Sequence, residues 1–117
     1  MQSMLWGTAI TTVPLLDTSS CENFYQFAYN CPNLTDFPAN FFDNAQATNY
    51  GAAFNGCSLT QTSVDNILVS VAQSVVNNPS LTGGSLSTIT AGNAAPSATG
   101  ITAKNALIAA GWTVDTN

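Results

Sequence analysis

Phe24-Tyr25-Gln26-Phe27-Ala28-Tyr29-Asn30-Cys31 and, 26 residues later, Tyr50-Gly51-Ala52-Ala53-Phe54-Asn55-Gly56-Cys57 are the two stretches on which the reading of the fold turns. In the first, Phe24, Phe27, Ala28 and Cys31 fall at i, i+3, i+4 and i+7; in the second, Tyr50, Ala53, Phe54 and Cys57 take the same offsets. That spacing lays four apolar side chains along one face of a helix. Phe27-Ala28 becomes Ala53-Phe54, so large and small residues exchange places, as interdigitating layers require. Val64, Ile67, Leu68 and Val71 carry the pattern into a third helix running through Val75, with Thr62 or Ser63 as its N-cap.

The segments between these stretches also recur. Ile10-Thr11-Thr12-Val13-Pro14 aligns with Leu34-Thr35-Asp36-Phe37-Pro38 at a shift of 24, and Leu59-Thr60 repeats the Leu34-Thr35 step 25 residues on. The first two are short β-like runs ended by proline, which cannot donate to a continuing ladder. Past Asn77 the chain becomes loop-like at Asn78-Pro79-Ser80 and Gly83-Gly84. Leu86–Thr90 reads as a strand with Leu86 and Ile89 in the core, and Ala91–Gly100 as a small-residue loop. A fourth helix over 102–110 ends at Gly111, a C′ residue, and Trp112-Thr113-Val114 supplies a last strand.

Strands near 10–13, 34–37, 57–60, 86–89 and 112–115 alternating with helices predict an α/β chain: a short solenoid with parallel short strands and one helix per repeat. A doubly wound sheet alternates β and α too, but with longer strands and irregular connections. The expectation is one domain over residues 1–117, with repeats in 1–77 and a C-terminal capping segment in 78–117. At the start, Met4 and Gly7 take the places of Ala28 and Cys31, so the chain begins partway through a repeat. Leu5, Trp6 and Ile10 then lie at an uncapped end, which either their own segment or another chain must cover.

Phe27-Ala28-Tyr29-Asn30-Cys31-Pro32-Asn33-Leu34-Thr35 and Ala53-Phe54-Asn55-Gly56-Cys57-Ser58-Leu59-Thr60 resemble the aromatic–Asn/Gly–Cys–Leu–Thr step of BspA-like leucine-rich repeats. The tail 85–117, with Asn93-Ala94-Ala95-Pro96 and Gly111-Trp112-Thr113-Val114, is similar to the closing segment of repeat proteins found in bacteriophages. The resemblance implies surface, adhesion or virion structural roles and brings no catalytic residues with it.

Composition narrows the function. Only 6% of residues are charged, against roughly a quarter in an ordinary soluble domain. The polar surface is therefore built from Ser, Thr, Asn and Gln, which suits a permanent assembly. Net charge is −5 and Lys104 is the sole cation, so neither a phosphate backbone nor an anionic membrane surface has a counterpart here. Met1–Leu16 has no positive n-region and no uninterrupted apolar run, and reads as neither signal peptide nor membrane span. Three cysteines, Cys21, Cys31 and Cys57, make no disulfide framework, and without His or a Cys-x-x-Cys pair they make no zinc site. They read as small buried hydrophobes.

With no His, a Ser-His or Cys-His nucleophile pair is impossible. Two of the six carboxylates, Asp17, Glu22, Asp36, Asp43, Asp65 and Asp115, could in principle form a glycosidase-like pair, but Asp17, Asp43 and Asp65 stand at helix starts and read as caps. Asp17 and Asp43, 26 residues apart, are candidates to stack with a calcium ion between them, against ordinary solvation as the simpler reading. Asn33-Leu34-Thr35 fits the glycosylation sequon, but the repeat already requires its Leu and Thr. No catalytic, cofactor or metal site is expected. The partner-binding candidates are Met4, Leu5, Trp6 and Ile10 at the open end, and Tyr25, Tyr29, Phe41 and Phe42, which fall outside the apolar stripe. Phe41 and Phe42 have an alternative role as filling on the loop side. The sequence therefore points to a non-enzyme: a multi-copy virion component of capsid or tail surface that binds other virion proteins, with a host-surface ligand as a further partner. A cell-surface adhesion module binding protein or glycan is the alternative. Replacing Phe54 by Asp is expected to abolish folding, because it places a charge in a packed layer; loss of a cooperative thermal transition is the measurement.

Overall fold

The structure, a computed structural model, describes residues 1–90 and 92–117, with only the backbone of Thr88. Ala91, which the sequence places in a small-residue loop, lies outside the described residues. Four regular elements follow in order: α1 (Gln61–Asn77), β1 (Ser85–Ile89), α2 (Ala98–Ala109) and β2 (Thr113–Thr116). β1 and β2 pair in parallel, Ser85 opposite Thr113 and Leu86 opposite Val114.

This overturns the expected solenoid with one helix per repeat. Residues 24–31 and 50–57 are not helices but rows of tight turns, as is 1–8. The stretches near 10–13 and 34–37 meet in one parallel bridge, Thr12 to Asp36, and 57–60 forms no strand. The physical reason lies in where the backbone N–H groups go. In a helix each bonds four residues back. Here every second N–H leaves its segment: Phe24, Gln26, Ala28 and Asn30 donate to the carbonyls of Asn49, Gly51, Ala53 and Asn55 at 2.7–2.9 Å. The N–H groups between them close local turns, Phe27 to the Phe24 carbonyl and Tyr29 to that of Gln26.

The first turn segment repeats the scheme. Ser3, Leu5 and Gly7 donate to Tyr25, Phe27 and Tyr29, while Met4, Trp6 and Thr8 bond back to Met1, Ser3 and Leu5. Such a path needs left-handed residues at fixed places. Ser3, Gln26 and Ala52 have φ of 55°, 54° and 53°, and Gly7, Asn30 and Gly56 have 71°, 57° and 82°. Three of these six positions carry the glycine or asparagine that tolerates the conformation; at the others neighbouring rows impose it. A side chain at Gly56 would also meet the Asn30 backbone at 3.1 Å. These positions set the true alignment: Met4 matches Phe27 and Gly7 matches Asn30, correcting the match to Ala28 and Cys31.

The spacing did identify the inward side chains. Phe24, Phe27, Ala28, Cys31, Tyr50, Ala53, Phe54 and Cys57 are all buried, as are Val64, Ile67, Leu68 and Val71. Consecutive tight turns repeat at nearly the helical period, so the same residues face in. Phe24 stacks on Tyr50 with ring centroids 5.1 Å apart, and Phe37, Phe41, Phe42 and Phe54 fill the space beside them. A continuous column of parallel bridges, Asn23–Asn49–Ser85–Thr113, joins the turn rows to the sheet. In the two turn rows the Asn23 and Asn49 side chains fix the first bend by accepting from the N–H of Tyr25 and Gly51.

The N-cap of α1 is Thr60, whose hydroxyl accepts from Ser63 N–H, rather than Thr62 or Ser63. Its face toward the loops is polar but uncharged. Ser63 Oγ accepts from Phe37 N–H and donates to the Thr35 carbonyl. Asn66 donates to the Phe37 carbonyl, Ser70 Oγ accepts from Phe42 N–H, and Asn77 donates to the Asp43 carbonyl. An irregular loop can lie beneath a helix only if its backbone groups find such partners. α2 starts at Ala98, four residues before its expected start, and Asp65 anchors it by accepting from the Ser97 N–H and hydroxyl. Asp65 thus caps α2 from within α1 instead of capping α1. Lys104 Nζ donates to Thr116 Oγ1, tying α2 to β2. Gly84 is required because the Trp112 ring lies where a Cβ would stand, and the indole N–H donates to the Leu81 carbonyl.

A second column closes the stack. Cys31 Sγ donates to the Leu5 carbonyl and Cys57 Sγ to that of Ala28. Asn93 Nδ2 continues the series to the Phe54 carbonyl while its Oδ1 accepts from Leu59 N–H. Asn93 is buried, so truncation leaves an N–H and a C=O without partners. Asn93→Ala is expected to lower unfolding free energy by on the order of 3 kcal/mol, read from chemical denaturation.

Candidate partner-binding site

The first turn segment and the extended leg behind it build the end of the stack farthest from the sheet. Met4 and Trp6 are each 52% exposed, and Leu15, just past the proline that stops the leg, is 62% exposed. Leu5 and Ile10 are partly buried against the core. Between the two strands of chain lies a hollow of about 240 Å³ lined by Met4, Leu5, Ile10, Val13, Pro14 and Leu16, with Thr12 at its edge. No charged side chain occurs between Met1 and Leu16.

Trp6 packs edge-on against Tyr29, with centroids 5.2 Å apart, because the two occupy matching places in neighbouring turn rows. Tyr29 is half-buried, and Tyr25 is exposed with its ring over Gly51. Trp6, Tyr25 and Tyr29 therefore share the outer side of the turn rows, Trp6 against Tyr29 and Tyr25 over Gly51, while Met4, Leu5 and Ile10 line the hollow. Phe41 and Phe42 do not. Both are buried, and they belong to the aromatic core with Phe24, Phe37, Tyr50 and Phe54. The chain turns at Asn40, with φ of 65°, and Ser70 holds the Phe42 N–H, which carries both rings under α1. Their candidacy as a recognition surface is withdrawn in favour of the filling role.

The sequence reading missed Leu15 and Leu16 at this end, although two leucines directly after a strand-ending proline are the available signal. A second apolar groove of about 420 Å³ was missed as well. It lies between the two helices, lined by Val69, Ala72, Val76, Thr102, Ala103 and Ala106. Val69 and Val76 stand seven residues apart on the outer face of α1, and that spacing was legible.

The carboxylates do not gather. Asp17 accepts from Ser19 N–H, which holds its exposed carboxyl below the usual value. Asp43 accepts from the Ser70 hydroxyl, so Asp17 and Asp43 engage separate partners and neither caps a helix. Among the described residues no three of His, Cys, Asp and Glu come together as a metal would need. Asp36 lies in a recess of about 210 Å³ lined by polar Thr12, Thr60, Thr62, Ser63 and Asn66 and by apolar Val13, Phe37 and Pro38. No described helix is long and apolar enough to cross a membrane. No family model matches the chain, and no curated protein or solved structure is found similar to it.

The Cys57 thiol is chemically quiet. Burial, with the Cys31 sulfur nearby, pushes the Cys57 thiol from 9.0 up to about 12. Burial also raises the Tyr50 phenol, whose hydroxyl lies toward Ser74 without a hydrogen bond of good geometry among the described residues. In the unfolded chain these groups ionise at lower pH than in the folded one. The folded state then holds more protons above pH 9, so stability is intact below that point and falls as pH climbs toward 12. Denaturation midpoints should stay level through neutral pH and drop on the alkaline side. A small thiol reagent should modify half-buried Cys21 in the native protein, and Cys31 and Cys57 only after unfolding.

Proposed function

We propose that the chain is a non-catalytic assembly protein, a bacteriophage virion structural component of the capsid or tail surface that binds neighbouring virion proteins through its first turn segment. The observation that carries this reading is the open end itself: half-exposed Met4 and Trp6, exposed Leu15 and an apolar hollow, with no charge among them. An apolar patch beside polar, uncharged surface is what a lasting protein contact needs, and a monomer gains nothing by leaving it wet. Within this reading, the resemblance of the tail to bacteriophage repeat proteins and the scarcity of charge are what favour a virion among assemblies.

A second reading, a cell-surface adhesion module, draws on the recess of mixed polar and apolar lining beside Asp36. Its hydroxyl, amide and carboxylate groups suit the hydroxyls of a glycan, and in the virion reading the same recess would meet a host-surface ligand.

The test is made in the native assembly. With Trp6→Asp encoded in place of the natural residue, the protein should fold but its amount in purified particles should fall at least about tenfold. Unchanged incorporation would overturn the reading.

A further inference from the structure

The open end carries two sets of unpaired backbone groups. In the second turn segment the carbonyls of Tyr25, Phe27 and Tyr29 accept from the first. Their counterparts in the first segment, the carbonyls of Gln2, Met4 and Trp6, accept nothing among the described residues. Along the extended leg the direction of donation reverses. Thr35 and Asp36 N–H donate back to the Thr11 carbonyl, and Ser58 and Thr60 donate back to Leu34 and Thr35. The counterparts of Thr35 and Asp36, the N–H groups of Thr11 and Thr12, donate to nothing among the described residues. One face thus presents a row of acceptors along one side and donors along the other, with the apolar hollow between them.

We propose that the partner at this end is a second copy of the chain, joined face to face about a two-fold axis. The proposal rests on the reading of this end as an assembly surface and names what covers it. Turning the face over about an axis that lies in it, parallel to the two segments, brings the acceptors of one copy over the donors of the other, and the reverse. The paired segments run antiparallel, so both sets of open groups are used at once and the assembly closes at two. A chain of net charge −5 repels its own copy over most of its surface, but residues 1–16, which build this end, carry no charged side chain; exposed Asp17 follows at the rim, and the Met1 ammonium is held by the Asn23 carbonyl. Met4, Trp6 and Leu15 supply apolar area to enter the facing hollow.

Light scattering and sedimentation of the purified full chain, from about 1 to 500 μM, should report twice the mass of the 12.1 kDa chain at the upper end. Met4→Asp sets like charges across the axis at a half-exposed position, and should weaken the dimer by about 100-fold while near-ultraviolet dichroism stays native. Val76→Asp, in the groove between the helices, should leave the mass unchanged. Should Met4→Asp fail to fold, hydrogen exchange of the unaltered protein decides: the Thr11 and Thr12 amides should gain protection as concentration rises. Amides of equal protection at every concentration, a monomer throughout the range, or a dimer broken by Val76→Asp but not by Met4→Asp would each overturn the proposal. Mass growing without limit would also overturn it, since that marks head-to-tail stacking on the β2 edge. A monomer whose Trp6→Asp variant still drops out of particles refutes the second copy alone; a monomer whose variant is incorporated normally refutes the assembly surface too.

Discussion

Alternate backbone N–H groups of one turn row reach the carbonyls of the next, and everything else in the molecule is arranged around that exchange. Each row keeps half of its donors for its own tight bends and gives the other half away. The alternation is possible only because left-handed residues recur at matching places, Ser3, Gln26 and Ala52 on one line and Gly7, Asn30 and Gly56 on another. A left-handed conformation costs a non-glycine residue on the order of 1 kcal/mol. The bonds between rows and the buried aromatic rings behind them offset that cost, so no single row is expected to hold its shape without its neighbours.

The same constraint explains why charge is scarce. Rows that deviate from regular sheet leave carbonyls and N–H groups at awkward angles, and short neutral side chains reach them at little desolvation cost. Cys31, Cys57 and Asn93 serve one line of carbonyls, and Ser63, Asn66, Ser70 and Asn77 serve the loop beneath α1. A lysine or glutamate in these places would bury a charge. Polar residues that look like surface in the sequence are in part internal mortar: Ser63, Ser70, Ser74 and Asn93 are all buried.

That double use of residue types limits what the sequence reveals. The inward residues were legible, because tight turns in series bring i, i+3, i+4 and i+7 to one side much as a helix does. The backbone conformation was not, since the spacing alone cannot separate the two. The discriminating marks were Asn23 and Asn49 ahead of each row and Gly or Asn near each row's end, signs of bends rather than of helix starts. α1, β1, α2 and β2 follow from ordinary helix and strand patterns and were placed within a few residues. Of the open end, Met4, Leu5, Trp6 and Ile10 were recognised from the incomplete repeat. Phe41 and Phe42 were misplaced because nothing local announces the left-handed bend at Asn40 that sends them inward.

Lys104 sits on α2 with its ammonium held by Thr116, and no other lysine or arginine exists in the sequence. Trypsin, which cuts after those residues alone, therefore has one target here, and it is embedded in a helix that must open before a protease can seat it. Digestion of the native protein is governed by how often α2 frays. Complete digestion gives residues 1–104, far larger than peptide sequencing favours, and one short peptide, residues 105–117. A survey of an assembly by tryptic peptides would rest on that one peptide, whereas an enzyme cutting at aromatic residues would sample the whole chain.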